Sequence, residues 1–166
     1  MRGAVVAAAL VMLAPGAALA QDSAPMQLLT RFTGGARCLD IADEPGRNRL
    51  VMADCADVRG QAWRLVHVNG TPWKRLQNAL SGPDLCLDVI NDGRNNRVHM
   101  APCANYSGQM WSMRAPLADP GALWLTNAFT EDDRCLDIIN DGANDKLTIT
   151  PCDTYSGQKW LMRPIP

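Results

Sequence analysis

The 166-residue sequence has few of the side chains and none of the motifs on which enzymes most often depend. It contains only two histidines and no H-E-x-x-H motif, which excludes the common zinc-protease arrangement. It also lacks the G-x-S-x-G motif of α/β-hydrolases and a glycine-rich phosphate loop. The formal net charge of −1 is too small to attract nucleic acid or an anionic membrane by bulk electrostatics. These absences argue against an enzyme, a bound cofactor and a nucleic-acid partner.

The first 20 residues differ in composition from the rest of the chain. Arg2 precedes an apolar run at residues 4–14, and residues 18–20 form an A-x-A cleavage motif. This pattern is typical of a secretory signal peptide, and the apolar run is too short to cross a bilayer. We therefore expect a signal peptide over residues 1–20, no membrane insertion, and a mature protein that starts at Gln21 and is secreted or periplasmic.

The remaining chain, residues 21–166, contains three copies of one pattern. Each copy opens with Cys-Leu-Asp and closes with Gln-x-Trp, and successive first cysteines are 48 and 49 residues apart. Together the copies occupy nearly the whole mature chain, which leaves no room for a separate catalytic domain. We expect one domain over residues 21–166, built from repeats at about 26–68, 69–116 and 117–166.

All six cysteines lie inside the repeats, two in each. In an exported chain, pairs with the same spacing predict disulfides of the same design, and the threefold symmetry selects one of the fifteen possible pairings. The predicted disulfides are Cys38–Cys55, Cys86–Cys103 and Cys135–Cys152. The competing hypothesis of a zinc site is weak, because no C-x-x-C pair is present and imidazole ligands are scarce.

Short alternating apolar runs, separated by turn signals such as Asp92-Gly93, predict an all-β fold. No segment has convincing helical periodicity. The first strand of each repeat is expected to run from Leu28 to Phe32, Leu76 to Leu80 and Leu125 to Phe129. Later strands are expected at Leu39, Leu87 and Leu136, around Leu50, Val98 and Leu147, and in runs ending at Trp63, Trp111 and Trp160. About four strands in each repeat predict a closed, pseudo-threefold arrangement of twelve strands without open edges.

The Cys-Leu-Asp openings, the second cysteines and the Gln-x-Trp closings resemble the ricin B-type lectin family. The resemblance covers all three repeats, and it implies a β-trefoil and a non-catalytic protein that binds a glycan or polysaccharide. In that family the aspartate after the first cysteine accepts hydrogen bonds from two sugar hydroxyls in a shallow pocket. The corresponding residues are Asp40, Asp88 and Asp137. The alternative is that each aspartate only braces the turn that follows it.

Several positions depart from the pattern of sugar-binding members of the family. The aromatic residue that stacks on the sugar is replaced by Ala53, Ala101 and Thr150. The asparagine before the glutamine of Gln-x-Trp is replaced by Gly60, Gly108 and Gly157. A galactose site of the ricin type is therefore not intact in any repeat.

Repeats two and three carry further candidate ligand residues. Tyr106 and Tyr155 are the only tyrosines, and each could offer a stacking face or a hydroxyl; the alternative is that they pack over the disulfides or hairpins. His99 is a candidate for a hydroxyl contact near Asp88, or else an ordinary strand residue. The glutamines of Gln-x-Trp are expected to hydrogen-bond the neighbouring carboxylate and are included in the candidate sites; they are Gln61, Gln109 and Gln158. The tryptophans of the same motif are expected in the core.

Two functions from different classes follow from these features. The first is glycan binding, with weak single sites reinforced by more than one lobe engaging the same polymer or surface. The second is a protein-interaction scaffold that keeps the trefoil and has lost its sugar sites. The two functions predict different surroundings for the three aspartates: open pockets if the protein binds glycans, and closed turns if it is a scaffold. Nothing in the sequence indicates oligomerisation, so we expect a monomer.

Overall fold

The computed structural model describes residues 22–165 of the chain. The predicted signal peptide lies outside the described residues. Within them the protein has twelve strands and three short 3₁₀ turns. No helix in this part of the chain has the length and apolar character needed to span a bilayer.

The strands and turns repeat in the same order in each third of the chain. The strands are β1 (Met26–Thr30), β2 (Arg37–Ile41), β3 (Leu50–Asp54), β4 (Trp63–His67), β5 (Lys74–Asn78), β6 (Gly82–Val89), β7 (Val98–Pro102), β8 (Trp111–Arg114), β9 (Trp124–Asn127), β10 (Glu131–Ile138), β11 (Leu147–Pro151) and β12 (Trp160–Pro164). The 3₁₀ turns are Arg59–Gln61, Ser107–Gln109 and Ser156–Gln158. The all-β fold with four strands in each repeat is therefore confirmed.

Two predicted strand boundaries are wrong. The fourth strand of each repeat begins at its tryptophan rather than ending there, because the residues before the tryptophan form the 3₁₀ turn. In repeats two and three the first strand ends before Leu80 and Phe129, respectively. In each case an asparagine side chain, Asn78 or Asn127, accepts the backbone N–H two residues ahead at 2.9 Å. Such a side-chain bond replaces the strand ladder with a turn.

Six strands form a closed barrel: β1, β4, β5, β8, β9 and β12. β1 pairs with β12, β4 with β5, and β8 with β9, while single bridges join β1 to β4 and β5 to β8. A bridge between Leu123 and Trp160 closes the ring. Because every barrel strand has neighbours on both sides, the barrel has no open edge. The prediction of twelve strands without open edges holds for these six only, because β3, β7 and β11 each pair with a single strand.

The other six strands form three hairpins, β2–β3, β6–β7 and β10–β11, which contact one another. The backbone N–H groups of Met52, Met100 and Ile149 donate to carbonyls in the preceding hairpin in cyclic order, each at 2.9 Å. A barrel with three such hairpins is a β-trefoil. We use the term lobe for the part of the trefoil built by one repeat.

The core lies where the barrel meets the hairpins, and the three Gln-x-Trp tryptophans are at its centre. Trp63, Trp111 and Trp160 have no exposed surface. Each indole N–H donates to a leucine carbonyl of the same repeat at 2.8 to 2.9 Å, so the one polar atom of the ring is satisfied. The prediction that these tryptophans are core residues is confirmed.

The three predicted disulfides are confirmed, and they join Cys38 to Cys55, Cys86 to Cys103 and Cys135 to Cys152. Each of them links the first strand of one hairpin to the residue directly after its second strand, on the side away from the turn. At the turn of the second hairpin, Gly93 has a φ of 85° that favours glycine, and an ion pair of 2.6 Å joins Asp92 to Arg97. The hairpin is therefore fixed at both ends.

Candidate functional site

The glutamine of each Gln-x-Trp holds the aspartate of the same repeat. In lobe two, Gln109 Nε2 donates to Asp88 Oδ2 at 3.0 Å and to the Pro102 carbonyl at 2.9 Å, while Gln109 Oε1 accepts the Ala104 N–H at 2.8 Å. The corresponding glutamine–aspartate distances in lobes one and three are 2.9 and 3.1 Å.

The three glutamines are at most 1% exposed. They lie beneath the carboxylates and have almost no surface to offer a ligand. Gln61, Gln109 and Gln158 therefore position the aspartates, and the structure does not support the predicted direct contact of these glutamines with a sugar.

The glycine before each glutamine leaves room for the carboxylate of the aspartate. A Cβ atom on Gly108 would lie 2.2 Å from Asp88 Oδ1, and the same clash would arise at the equivalent glycines, Gly60 and Gly157, at 2.1 and 2.3 Å. A side chain at this position would push the carboxylate away. The glycines that depart from the family pattern are thus required by the position of the aspartates.

The aspartates of lobes two and three differ in how many protein donors they accept. Asp88 accepts only Gln109 among the described residues, and its Oδ1 atom has no donor there. Asp137 accepts Gln158 Nε2 and Thr150 Oγ1 through Oδ2 and the Ile138 N–H through Oδ1, at 2.7 to 3.1 Å. Asp137 is also only 8% exposed. The interpretation of a bracing aspartate therefore suits Asp137, whereas Asp88 keeps acceptor capacity.

A depression of about 520 Å³ opens beside Asp88. His99 and Tyr106 line it, so three of the predicted ligand residues of repeat two come together. His99 lies on β7 directly opposite Asp88 on β6. We refer to this depression as the lobe-two pocket.

The equivalent depression in lobe three has a volume of about 470 Å³ and is lined by Asp137 and Tyr155. Thr148 takes the place of His99. We refer to it as the lobe-three pocket. Both volumes lie within the range that ligand-binding clefts usually have.

Every phenylalanine and tyrosine of the protein lines one of these two pockets. The sequence has two of each, and the lobe-two pocket contains Tyr106 and Phe129 while the lobe-three pocket contains Tyr155 and Phe32. The tyrosines are 66% and 59% exposed. Their exposure does not fit the alternative that they are packed over the disulfides or hairpins.

Each phenylalanine comes from the repeat that follows the pocket. Asn127 fixes Phe129 at the lobe-two pocket, because its side chain donates to the Gly108 carbonyl at 2.8 Å and accepts the Phe129 N–H at 2.9 Å. In lobe three the Phe32 N–H donates directly to the Ser156 carbonyl at 3.2 Å. Both phenylalanines were predicted to lie on strands and were therefore not among the predicted ligand residues.

Lobe one has aliphatic residues at both aromatic positions. Val58 corresponds to the tyrosines and Leu80 to the phenylalanines. Asp40 is held by Gln61 in the same way as Asp88 is held by Gln109. Lobe one therefore has the carboxylate without the aromatic walls.

The described residues offer no metal centre, since no group of three or more His, Cys, Asp or Glu side chains is placed to hold an ion there.

The closed barrel with three capping hairpins places the protein among the β-trefoils. More narrowly, residues 26–160 match the model of the ricin-type beta-trefoil lectin domain, and the chain belongs to that family of carbohydrate-binding domains. The family assignment made from the repeats is confirmed. A search among curated proteins finds no significant match.

Solved structures share the fold at low sequence identity. A mosquitocidal holotoxin aligns with a TM-score of 0.70 and 16% identity over 88% of this chain, which spans 17% of the toxin chain. ThreeFoil, a designed threefold symmetric protein, aligns with a TM-score of 0.68 and 22% identity over 85% of this chain and 99% of its own. SeviL, solved with an asialo-GM1 saccharide, aligns with a TM-score of 0.65 and 17% identity over 86% of this chain and 98% of its own.

Proposed function

We propose that this protein is an exported, non-catalytic lectin that binds glycans or polysaccharides through the lobe-two and lobe-three pockets. The observation that carries the proposal is the placement of the aromatic residues. All four phenylalanines and tyrosines line the lobe-two and lobe-three pockets, each of which also contains the aspartate of the family motif. In lobe one the equivalent positions hold Val58 and Leu80.

A sugar ring presents an apolar C–H face and a polar edge of hydroxyls. Aromatic rings supply large apolar contact area for the face, and a carboxylate makes strong hydrogen bonds to the edge. The lobe-two pocket combines Tyr106 and Phe129 with the open Oδ1 atom of Asp88. The missing stacking residue of the family pattern is thus replaced by aromatic side chains from other positions.

The same geometry supports binding without hydrolysis. Glycoside hydrolases use two carboxyl groups about 5 to 10 Å apart. Among the described residues that line the lobe-two pocket, Asp88 is the only carboxylate. The three motif aspartates belong to three different lobes, so we expect the protein to leave its ligand uncleaved.

The test is a glycan array probed with the oxidised mature protein and with the double variant Tyr106→Ala/Tyr155→Ala. Both tyrosines are mostly exposed, so the variant should fold with an unchanged Tm while its binding is lost. The matched control is Val58→Ala, which shortens the exposed residue at the equivalent position of lobe one and should bind as the wild type does.

Unchanged binding by the folded double variant would contradict the assignment of the pockets. No binding by the folded wild-type protein would favour the protein-interaction scaffold instead. Export is tested separately by the mass of the protein recovered outside the cytoplasm, which should correspond to a chain starting at Gln21. Recovery of the protein only in the cytoplasm, with residues 1–20 retained, would contradict export.

A further inference from the structure

We propose that the protein has an additional binding site, separate from the lobe pockets, that takes the carboxylate of an acidic sugar. The site is a depression of about 360 Å³ where repeat one meets repeat two, and it shares no residue with either lobe pocket. Two arginines, Arg59 and Arg64, line it, and we refer to it as the arginine pocket. The carboxylate part of the proposal follows from the pocket itself, whereas the sugar part rests on the proposed function.

The arginine pocket is positively charged. Among the described residues that line it, the two guanidinium groups have no carboxylate beside them, and neither arginine forms an ion pair in the part of the chain that the structure describes. Arg59 Nη2 donates to the Ala79 carbonyl at 2.6 Å, which fixes that guanidinium at the pocket. A guanidinium is always charged and has several N–H donors. Both arginines therefore keep donors for a ligand carboxylate.

The equivalent groove between repeats three and one already holds a carboxylate. Arg31 occupies there the position that Ala79 has in the arginine pocket. Asp119, from the segment between β8 and β9, accepts Arg31 Nε and Nη2 at 3.0 Å each. Such a two-point contact is the geometry in which arginine recognises a carboxylate most specifically. The fold itself therefore shows that a carboxylate fits against a guanidinium at this place.

In repeat one the corresponding acid is used elsewhere. Asp22 is the counterpart of Asp119, because each lies four residues before the residue that bridges to a motif tryptophan. Asp22 accepts the His67 N–H at 3.1 Å and does not line the arginine pocket. The arginine pocket therefore has the guanidinium groups of a carboxylate site without an internal carboxylate, and we expect a ligand to supply one.

The third groove of this kind, between repeats two and three, has the opposite charge. Serines, Ser107 and Ser112, stand at the positions of the two arginines. Two acids, Glu131 and Asp132, stand at positions that are uncharged in the arginine pocket. The positive charge is thus a property of one junction and not of the trefoil as such.

The size and the remaining walls of the arginine pocket suit one small ring. Its volume of about 360 Å³ lies near the lower end of the range for ligand-binding clefts. Pro25, Ala62 and Pro83 add apolar surface beside the guanidinium groups. A uronic acid combines the apolar face of a sugar ring with one carboxylate. A polysaccharide bound by lobes two and three can carry such a sugar, so we infer that it is the ligand.

The experiment is a two-dimensional NMR titration of the oxidised mature protein with methyl glucuronopyranoside and with its neutral match, methyl glucopyranoside. The glucuronoside should shift the amide signals around Arg59, Arg64 and Ala79, and the glucoside should leave these signals unchanged. Equal shifts with both sugars, or none with either, would overturn the proposal. Sodium sulfate and N-acetylalanine are the further probes, and binding of either one as tightly as the glucuronoside would overturn the assignment to an acidic sugar.

Single variants test the role of the arginines. Arg59→Gln and Arg64→Gln should each weaken glucuronoside binding about 10-fold or more, because hydrogen bonds between charged groups are the stronger class. Arg64 is exposed, so Arg64→Gln should keep the wild-type Tm. The control is Arg94→Gln, which removes an exposed arginine at the turn of the second hairpin and should leave binding unchanged. Unchanged affinity in both pocket variants would overturn the proposal.

This proposal and the proposed function fail separately. Loss of the glucuronoside shifts at the arginine pocket, with sugar binding around Tyr106 and Tyr155 intact, would overturn the additional site and leave the lectin assignment standing. Glucuronoside shifts at the arginine pocket, together with tyrosine variants that bind glycans as the wild type does, would support the additional site and contradict the assignment of the lobe pockets.

Discussion

The contact between Gln109 and Asp88 provides the sharpest test of how the site is built. Gln109 is fully buried and uses both ends of its amide, with the NH₂ group donating to Asp88 and to the Pro102 carbonyl. In Gln109→Glu the shape is kept, but an oxygen replaces the nitrogen. That oxygen would face two acceptors at distances of 3.0 and 2.9 Å.

The expected loss follows from the bonds that are replaced. Two hydrogen bonds disappear, their acceptors lose a buried donor, and two carboxylates are brought into contact. An unsatisfied buried polar group costs about 1 to 3 kcal/mol, so we expect Gln109→Glu to lower the free energy of unfolding at pH 7 by roughly 3 to 5 kcal/mol. At about 3 °C for each kcal/mol, the Tm should fall by roughly 10 to 15 °C.

The loss of stability in Gln109→Glu should be larger at high pH than at low pH. Beside the Asp88 carboxylate, the introduced carboxyl has a pKa raised above its value in the unfolded chain, because a like charge and burial both disfavour ionisation. The native state then binds more protons than the unfolded state, so stability is greatest at low pH and falls as pH rises through the unfolded pKa of about 4 and beyond. Protonation also restores a donor to Asp88.

The assay is thermal unfolding of the oxidised protein at pH 4 and pH 7, with each Tm compared with that of the wild type at the same pH. Gln109→Met is the control, because it removes the hydrogen bonds without adding a charge, and its deficit should be the same at both pH values. A Gln109→Glu variant as stable as the wild type at pH 7, or equally destabilised at both pH values, would refute the arrangement described for the site.

Two further predictions concern the hairpin turn and the glycine of lobe two. A hydrogen bond from Arg97 lowers the pKa of Asp92 to about 2. The stability that this exposed pair contributes is therefore present above the unfolded pKa of 3.8 and is lost as pH falls through about 2. The Tm difference between wild type and Asp92→Asn should shrink over that interval, and a constant difference would contradict the prediction. Gly108→Ala should displace the Asp88 carboxylate and abolish hexoside binding in lobe two, as measured by NMR titration. The control is Gly60→Ala, which makes the same change beside Asp40 in lobe one and should leave binding in lobe two unchanged. A Gly108→Ala variant that binds normally would contradict the role given to the Asp88 carboxylate.

The parts of the fold that follow the repeat were predictable from the sequence. The disulfide Cys86–Cys103 and the buried Trp111 recur at equivalent positions in every copy, so three observations supported each assignment. The strand boundaries were less predictable, because they depend on local bonds made by single side chains. Asn127 ends β9 by accepting the Phe129 N–H, and an apolar pattern does not reveal such a bond.

The candidate site was predicted in part. The sequence indicated Asp88, His99 and Tyr106, and the structure brings all three to one pocket. It did not indicate Phe129, although the only two phenylalanines stand one repeat after the two tyrosines in cyclic order. This cyclic order could have indicated Phe129 as a pocket residue, but only with the knowledge that the three repeats close into a ring.

The sequence by itself determined the trefoil, its family and its disulfides, because a period of about 48 residues and three paired cysteines are properties of the chain as written. The tertiary structure decided which aspartate remains open and which aromatic residues surround it. Asp88 and Asp137 occupy equivalent positions, yet only the fold brings the Thr150 hydroxyl to Asp137. The physical reason is that these groups come from different segments of the chain: pairing of β10 with β11 brings Thr150 to Asp137, and closure of the barrel brings each phenylalanine to the pocket of the preceding repeat.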